Sequence, residues 1–347
     1  MLSPFVQSHK LPRHRAGDNG KQDHAMTRLN IVHLDSDSIG PDIVLDRPSC
    51  DHQWTGYGHT GEAELVPRLA SADIAIVNKI GLDAGTLAQL PALRMIAVSA
   101  TGYDRIDVDA CRERGIAVSN VREYASRTVP EHTFALILAL RRGLKGFQSD
   151  VEAGKWQTSR QFCLFTQPVG DLHGATLGLI GSGAIGAAVG RIGAAFGMRV
   201  IHAARKGARD IPPGYTPFDR VVEQSDILSL HCPLTPETAG LIAAPELSRM
   251  KNSALLINTS RGGLVDEMDL MDALDNGSIA GAGFDVLSHE PPPPDHPFLK
   301  NLDRPNFILT PHVGWSSRDA RQALWDQLIG HIDSFAGGRA SNNVLDS

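Results

Sequence analysis

The chain has 347 residues, of which 42% are hydrophobic and 21% are charged, a composition typical of a globular protein with room for two domains. Its formal net charge of −6 excludes a general attraction to nucleic acid or to an anionic membrane surface. No run approaches the roughly 20 apolar residues of a membrane helix. The 4 cysteines form no CxxC pair, so we expect a cytoplasmic protein with reduced thiols.

The first 26 residues differ from the rest of the chain. They are polar, mixed in charge and without hydrophobic periodicity, which is typical of a disordered extension. They also lack the apolar centre of a signal peptide. We therefore expect the folded structure to begin near residue 27.

Short apolar runs alternate with amphipathic stretches from Asn30 onward, which predicts parallel strands covered by helices. The predicted strands are NIVHL, ADIAIVN, LRMIAVS and GIAVSN, and the helices between them include GEAELVPRLA and AGTLAQL. Near the other end of the chain, SSRDARQALWDQLIGHIDSF is predicted to form a helix that packs back onto this first domain. The first domain is therefore predicted to be discontinuous, comprising residues 27–126 and 318–347.

The alternation stops after GIAVSN and resumes about 50 residues later. A long helix is predicted from about Thr128, followed by an arm that reaches about Pro168. The strands predicted beyond it are ATLGLIG, MRVIHAA, SDILSLHCP, ALLINTS, IAGAGFDV and NFILTPHVG. Six strands with crossovers suit a complete dinucleotide-binding domain, which we place at residues 127–317. The predicted fold class is α/β, with two doubly wound parallel sheets.

A glycine-rich turn follows the strand ATLGLIG. Gly181, Gly183 and Gly186 have the spacing G-x-G-x-x-G between an apolar strand and a helix rich in small residues. The first glycine permits a tight turn, the second lets the backbone approach a pyrophosphate, and the third lets helix and strand pack closely. The N–H groups at the start of the helix, at Ala184 and Ile185, are free to bind the anion. This context predicts a dinucleotide phosphate site.

The strand MRVIHAA ends without the acidic side chain that binds the ribose diol of NAD(H). Ala204 occupies that position, and Arg205 and Lys206 follow it. Both cations suit a 2′-phosphate, and one charge-assisted hydrogen bond contributes about 1.5–3 kcal/mol. NADP(H) is therefore predicted to be preferred over NAD(H). In the alternative interpretation, both cations are solvated loop charges and the protein accepts either cofactor.

The later strands end in charged and titratable side chains. Arg261 follows ALLINTS, and Asp285 lies at the end of IAGAGFDV with Glu290 shortly after it. His312 lies at the end of the last predicted strand. Ligands of open parallel sheets bind at the carboxyl ends of the strands, so these side chains are predicted to converge on one site.

The order of these motifs resembles that of the D-isomer-specific 2-hydroxyacid dehydrogenase family. After the glycine turn come HCPLTPET, NTSRGGLVDE, FDVLSHEP and TPHVGW, and the resemblance covers nearly everything from about residue 28 onward. Segments such as VNKIGLD and SATGYDRIDVDACRERGIAVSN are similar to the hydroxypyruvate reductase group, also called glycerate dehydrogenase. The resemblance implies a Rossmann cofactor domain, a flavodoxin-like substrate domain and a homodimer.

The resemblance also implies three catalytic roles. His312 is expected to donate a proton to the substrate's carbonyl oxygen during reduction. Glu290 is expected to orient the imidazole and to stabilise its protonated form. Arg261 is expected to bind the carboxylate and carbonyl oxygens of a 2-keto acid, which suit a guanidinium fork better than an amine.

The remaining implied contacts are with substrate and cofactor. Lys79 and the backbone N–H groups around Thr101 and Gly102 are expected to complete carboxylate recognition. The cofactor-binding residues are expected to be Gly181, Gly183, Ala184, Ile185, Gly186, Arg205, Lys206, Cys232, Pro233, Thr238, Thr259, Ser260, Asp285 and Gly314. No metal site is predicted.

The expected reaction is the NAD(P)H-dependent reduction of hydroxypyruvate to D-glycerate and of glyoxylate to glycolate. No nucleic-acid or membrane partner is predicted. One alternative is that the substrate is 2-ketogluconate or another 2-keto acid. A second alternative is a non-catalytic, dinucleotide-sensing protein similar to the corepressors of the family, which retain a similar Arg, Glu and His. Turnover of any 2-keto acid would exclude the second alternative.

Overall fold

A computed structural model describes residues 28–346, so the extension predicted over residues 1–26 lies outside the described residues. The described chain forms two parallel β-sheets of five and seven strands. Apolar clusters lie on both faces of each sheet, where helices cover the strands. The predicted fold class, α/β with two parallel-sheet domains, is confirmed.

The first sheet has the strand order β2-β1-β3-β4-β5. Its strands are β1 (Leu29–His33), β2 (His52–Gly56), β3 (Ile74–Val77), β4 (Met95–Val98) and β5 (Ala117–Asn120). β3 and β4 are buried along their whole length, which explains their continuous apolar sequences. The sequence does not predict β2, because HQWTG is polar and lies half-exposed at the sheet edge.

The first three helices connect the strands of this sheet. They are α1 (Glu62–Leu69), α2 (Ala84–Ala88) and α3 (Val108–Arg114). Asp83 and Asp107 cap the second and third helices, because each carboxylate accepts a backbone N–H of the first turn. α3 ends at Gly115, whose φ of 68° is in the left-handed region.

Two helices lead from the first sheet to the second. The helix predicted from Thr128 begins there as α4 (Thr128–Arg141), and α5 (Leu144–Glu152) follows it. Gly143, with a φ of 61°, separates the two helices. After α5 the chain is irregular as far as the next strand.

The second sheet has the strand order β12-β11-β10-β9-β6-β7-β8. Its strands are β6 (Thr176–Ile180), β7 (Arg199–Ala203), β8 (Tyr215–Thr216), β9 (Ile227–Leu230), β10 (Leu255–Asn258), β11 (Gly281–Phe284) and β12 (Phe307–Leu309). The order reverses between β6 and β9, which is the Rossmann switch point where dinucleotides bind. The predicted set of six strands lacks only β8, a two-residue edge strand.

The remaining helices are α6 (Ala184–Ala195), α7 (Phe218–Gln224), α8 (Ala244–Leu247), α9 (Glu267–Asp275) and α10 (Arg318–Ala336). Short 3-10 helices lie at Ser36–Ile39, Leu299–Asn301 and Val344–Asp346. Within residues 28–346, no helix has the length and apolarity needed to span a bilayer.

The C-terminal helix α10 packs on the first sheet rather than on the second. Leu324, Trp325 and Leu328 are fully buried in one apolar cluster with Ile31 and Ile74 from β1 and β3. The indole N–H of Trp325 donates to the carbonyl of residue 46 at 3.0 Å, so the largest core side chain of this cluster has its polar atom satisfied. The chain therefore leaves the first sheet after β5 and returns to it at its end.

Candidate active site

A narrow cleft lies where the carboxyl ends of the two sheets face each other. Residues that follow β3 and β4 form one wall, and residues that follow β10, β11 and β12 form the other. The predicted residues that line this cleft are Lys79, Thr101, Gly102, Ile185, Thr259, Ser260, Arg261, Asp285 and His312. The structure therefore brings predicted substrate, cofactor and catalytic residues from both domains into one site.

His312 and Glu290 form a hydrogen-bonded pair on the wall from the second sheet. Nδ1 of His312 lies 2.6 Å from Oε2 of Glu290. The other carboxylate oxygen, Oε1, accepts the backbone N–H of Leu287 at 3.0 Å, so the carboxylate is fixed in position. Burial opposes ionisation of Glu290, but the hydrogen bond and charge of His312, the N–H of Leu287 and the charge of Lys79 together outweigh it, so the pKa of this carboxyl lies below its ordinary value. The charged Glu290 orients the ring and leaves Nε2 of His312 free for proton transfer.

Arg261 lies shortly after the end of β10, and its side chain extends to the first domain. Its Nη1 donates to the carbonyl of Ser260 at 2.9 Å, while its own carbonyl accepts the amide of Asn258 at 2.7 Å. A Cβ atom built on Gly102 would lie only 2.4 Å from Nη2 of Arg261. Position 102 therefore has no side chain because the guanidinium occupies that space. Arg261 is placed to bind an anion held between the two domains.

Lys79 adds a second cation to the cleft. Asp35, at the end of β1, holds the Lys79 backbone, because its carboxylate accepts the N–H groups of Asn78 and Lys79 at 2.9 and 3.0 Å. The side chain extends into the cleft, where desolvation lowers the pKa of its amine and the charge of Arg261 lowers it further. Asp35 was not among the predicted site residues, although it follows the first strand and so lies at the same sheet edge.

The segment after β4 offers backbone donors to the same space. The carbonyl of Thr101 accepts the side-chain amide of Asn120 at 2.7 Å, and its hydroxyl donates to the carbonyl of Val121 at 2.9 Å. Across residues 28–346, the backbone N–H groups of Thr101 and Gly102 donate to no protein acceptor. They are therefore available to an acidic ligand, and carboxylate binding by these groups stays a prediction.

Two aromatic side chains close the cleft. Trp315, which follows the catalytic segment, makes an edge contact with Tyr124 at 6.3 Å between ring centroids, and both rings line the cleft. Burial raises the pKa of Tyr124 to about 12, so its phenol stays neutral. Tyr124 was not among the predicted site residues, because no sequence pattern identifies a tyrosine in the loop before a helix as a site residue.

The glycine turn has the geometry of a phosphate-binding loop. Gly181 has a φ of 104°, and a Cβ there would lie 2.3 Å from the carbonyl oxygen of His231. A Cβ on Gly186 would lie 2.2 Å from the carbonyl oxygen of Gly181, so helix and strand pack directly against each other. Around Gly183, by contrast, the space is open. No side chain caps α6, which leaves its first N–H groups, including those of Ala184 and Ile185, free to bind a pyrophosphate.

The loop after β7 carries the two cations predicted to bind a 2′-phosphate. Arg205 is exposed and forms no ion pair within the described part of the chain. The amine of Lys206 instead lies 2.9 Å from Oε1 of the buried Glu246 and 3.2 Å from the carbonyl of Leu241. Lys206 is thus paired with a buried carboxylate in this structure, and a contact between Lys206 and a 2′-phosphate stays a prediction.

The loop after β9 forms the rim next to the glycine turn. Thr238 closes a tight turn there, because its hydroxyl donates to the carbonyl of Pro233 at 2.7 Å and accepts the N–H of Thr235 at the same distance. The carbonyl of Cys232 accepts the hydroxyl of Ser260 at 2.6 Å, which joins this loop to the end of β10. Burial raises the pKa of the Cys232 thiol, so it stays protonated and unsuited to nucleophilic attack.

Two further predicted residues hold the active-site wall together. The hydroxyl of Thr259 lies 2.9 Å from that of Thr133, which joins β10 to α4. Asp285 is buried, and its carboxylate accepts the N–H of Val313 at 2.9 Å and that of Gly314 at 2.7 Å. Asp285 thus anchors the segment that carries His312, while a direct contact with the cofactor stays a prediction.

A Rossmann domain with a free phosphate loop, beside a cleft that holds an arginine and a histidine–carboxylate pair, defines a dinucleotide-dependent oxidoreductase acting on an acid. Comparison with known proteins identifies the particular family. The family description "D-isomer specific 2-hydroxyacid dehydrogenase, NAD binding domain" matches residues 134–314. The chain belongs to the D-isomer specific 2-hydroxyacid dehydrogenase family.

Named relatives resemble the chain over nearly its whole length. A glycerate dehydrogenase of Methylorubrum extorquens is 44% identical over 90% of this chain and 98% of the relative. A hydroxypyruvate reductase of Blautia hydrogenotrophica is 35% identical over 89% of this chain and 93% of the relative. Among solved structures, an acyclic imino acid reductase in complex with NADPH and D-Arg is 30% identical, with a TM-score of 0.76, covering 91% of this chain and 100% of that one.

Proposed function

We propose that the protein reduces hydroxypyruvate to D-glycerate, and glyoxylate to glycolate, with NADPH as the preferred hydride donor. The observation that carries this proposal is the His312–Glu290 pair, at 2.6 Å, facing the same cleft as Arg261. The names of two similar proteins, a glycerate dehydrogenase and a hydroxypyruvate reductase, support this choice of substrate. Glyoxylate is smaller than hydroxypyruvate, so a site that admits the larger acid does not exclude it by size.

The substrate is held by donors from both domains. Arg261 makes a two-pronged contact with one carboxylate oxygen and the adjacent carbonyl oxygen. The free N–H groups of Thr101 and Gly102 and the amine of Lys79 bind the remaining carboxylate oxygen. Because these donors come from opposite walls, the carbonyl carbon is fixed between them, and closure of the cleft excludes water.

His312 is the proton donor of the proposed reaction. When bound, the dinucleotide supplies the hydride. As negative charge develops on the substrate's carbonyl oxygen, Nε2 of His312 donates the proton, and Arg261 stabilises the charge beside it. Glu290, ionised because its pKa is lowered, stabilises the imidazolium before the transfer. In the reverse direction, neutral His312 removes the hydroxyl proton of the 2-hydroxy acid.

The preference for NADPH rests on Arg205. No carboxylate stands at Ala204 to repel a 2′-phosphate. In the described chain the exposed guanidinium of Arg205 forms no ion pair, and the charge it interacts with is that of the exposed Glu237. One charge-assisted hydrogen bond of about 1.5–3 kcal/mol corresponds to roughly ten- to a hundredfold in affinity. A similar protein was solved with NADPH bound, which agrees with this assignment.

The cofactor assignment is tested by kcat/KM for NADPH and NADH in wild type and in Arg205→Ala. Arg209→Ala, which removes a second exposed cation from the same loop, is the matched control. We expect a strong NADPH preference that collapses only in the Arg205 variant. Equal rates with both cofactors in wild type would show that Arg205 is a solvated loop charge, and would leave the reductase assignment intact.

We also propose a homodimer formed through the α5 segment and the irregular arm after it. Large apolar side chains are exposed along this stretch: Leu144, Val151, Trp156, Phe162, Phe165 and Val169. Phe162 and Phe165 are each 90% exposed, which is unusual for phenylalanine and typical of an interface. Sedimentation of wild type is expected to give a dimer, and Phe162→Ser with Phe165→Ser a monomer. A wild-type monomer would refute the proposal.

The reductase assignment is tested by initial rates with hydroxypyruvate, glyoxylate and 2-ketogluconate, each with NADPH. We expect the highest kcat/KM with hydroxypyruvate and measurable turnover of glyoxylate. A higher value with 2-ketogluconate would move the substrate assignment to that acid. Absence of turnover with all three, in protein that binds NADPH, would refute the enzymatic assignment.

A further inference from the structure

The segment that carries His312 has a backbone that needs support. His312 has a φ of 55°, in the left-handed region that side chains rarely adopt. Its N–H donates to the carbonyl of Thr310 at 3.0 Å, which closes a very tight turn. A non-glycine residue keeps this conformation only when its surroundings impose it. Some contact outside the turn must therefore fix the direction of the imidazole.

Asp285 supplies that contact through its buried carboxylate. Oδ1 accepts the N–H of Val313 and Oδ2 accepts the N–H of Gly314, so the carboxylate binds the two residues directly after His312. Oδ1 also accepts the hydroxyl of Thr310 at 2.5 Å. The residues on both sides of His312 are thus fixed to one buried carboxylate.

His132, in α4, extends this network to a different element. Its Nε2 lies 2.9 Å from the hydroxyl oxygen of Thr310 and 3.4 Å from Oδ1 of Asp285. The hydroxyl hydrogen of Thr310 is used on Asp285, so its oxygen is free to accept a hydrogen bond from Nε2. This assigns the Nε2–H tautomer to His132 in its neutral form. The hydrogen bonds then all run in one direction, from the imidazole through the hydroxyl to the carboxylate.

His132 also packs directly against the turn that carries His312. The ring of His132 faces Gly314, where a Cβ atom would lie 3.2 Å from Cδ2 of the imidazole. The side chain of His132 is only 20% exposed and is not part of the cleft lining. His132 therefore touches the turn from outside and does not reach the substrate space.

We propose that His132 is a positioning residue, which holds the proton-donating His312 in place through Thr310 and Asp285. Its role rests on the proposed function of His312. Helix α4 is a rigid element packed on β10 and β11, so it gives the strained turn a fixed reference. Loss of the hydrogen bond frees Thr310 to rotate, which weakens its hold on Asp285 and lets His312 move relative to the substrate.

The test uses two pairs of variants. His132→Leu removes the donor and His132→Gln keeps an N–H at similar reach. Thr310→Val breaks the middle of the network and Thr310→Ser preserves the hydroxyl. We expect the first member of each pair to lower kcat for hydroxypyruvate about tenfold, with KM and the dissociation constant of NADPH within twofold of wild type. The conservative members are expected to stay within threefold of wild type.

Two readouts separate positioning from a general loss of structure. The solvent isotope effect on kcat is expected to increase in His132→Leu and Thr310→Val, because proton transfer limits a misaligned site. The double variant His132→Leu with Thr310→Val is expected to lose no more kcat than the worse single variant, since both remove the same network. Full additivity would overturn the proposal, as would an impairment of His132→Gln equal to that of His132→Leu.

Amide hydrogen exchange keeps this test independent of turnover. The N–H groups of Val313 and Gly314 are expected to exchange at least tenfold faster in His132→Leu and Thr310→Val than in wild type or the conservative variants. If wild type reduces no 2-keto acid but exchange responds in this way, the proposed function fails and the positioning role stands. Unchanged exchange and unchanged kcat in both disruptive variants would refute the positioning role.

Discussion

A single methyl group at position 102 tests the geometry of substrate binding. Gly102→Ala places a Cβ atom 2.4 Å from Nη2 of Arg261 and 3.0 Å from Oδ1 of Asp104. Carbon and nitrogen atoms need about 3.5 Å, so the guanidinium must retreat by about 1 Å. The atom displaced is the far end of a flexible side chain, so the fold accommodates the change. The substitution therefore moves a binding group without unfolding the protein.

The expected loss of catalytic efficiency follows from the hydrogen bonds that Arg261 is proposed to make with the substrate. A hydrogen bond to a charged group contributes about 1.5–3 kcal/mol, and a displaced guanidinium loses at least one of its two contacts with the 2-keto acid. This corresponds to a loss of roughly ten- to a hundredfold in kcat/KM. The loss is expected in both KM and kcat, because Arg261 contacts the substrate carboxylate throughout and also stabilises the charge that develops on the carbonyl oxygen.

The assay compares kcat and KM for hydroxypyruvate in wild type, Gly102→Ala and Gly330→Ala. Gly330 lies exposed in α10, and a Cβ there meets no atom within 4 Å, so the control carries the same change without the contact. The control is expected to match wild type in kinetics, and both variants to bind NADPH normally. A kcat/KM for Gly102→Ala within twofold of wild type would refute the placement of Arg261.

Three other perturbations have defined outcomes. Glu290→Gln removes the charge that stabilises the imidazolium, and kcat is expected to fall by about 10²-fold with NADPH binding unchanged, measured by initial rates and fluorescence titration. The pKa of Lys79 is lowered, so its amine loses its proton at a lower pH than an ordinary lysine does. KM for hydroxypyruvate is therefore expected to rise toward alkaline pH. This rise should be absent in Lys79→Arg, whose guanidinium stays charged. Lys206→Met leaves the buried Glu246 without its cation, so the free energy of unfolding, measured with denaturant, is expected to fall by about 1–3 kcal/mol. The ratio of kcat/KM for NADPH to that for NADH is expected to stay unchanged. A changed ratio would show that Lys206 contacts the cofactor.

The central strands of both sheets are predictable from the sequence because burial on two faces produces continuous apolar runs. β3 and β10 are buried along their whole length, and the apolar runs ADIAIVN and ALLINTS predict them. The edge strands β2 and β8 carry polar residues that face solvent, so no hydrophobic pattern marks them. The break between α4 and α5 depends on one left-handed residue, Gly143, within a sequence of otherwise helical character.

The sequence places the catalytic candidates through their position at strand ends, since parallel strands bring their carboxyl ends to one edge. Arg261 and His312 line the same cleft as that rule requires, and Glu290 lies against His312. Side-chain partners remote in sequence follow no such rule. The pairing of Lys206 with Glu246 depends on how the loop after β7 packs on α8, and no local pattern encodes it.

The measurement that tests the account most directly is the rate of hydroxypyruvate reduction by wild type and His312→Gln, with NADPH binding measured in parallel. Glutamine keeps a polar side chain of similar size but cannot supply the proton of an imidazolium. We expect turnover in wild type, a fall in kcat of about 10²–10⁴-fold in the variant, and the same NADPH affinity in both proteins. A variant that retains kcat within tenfold of wild type would show that the proton comes from another group.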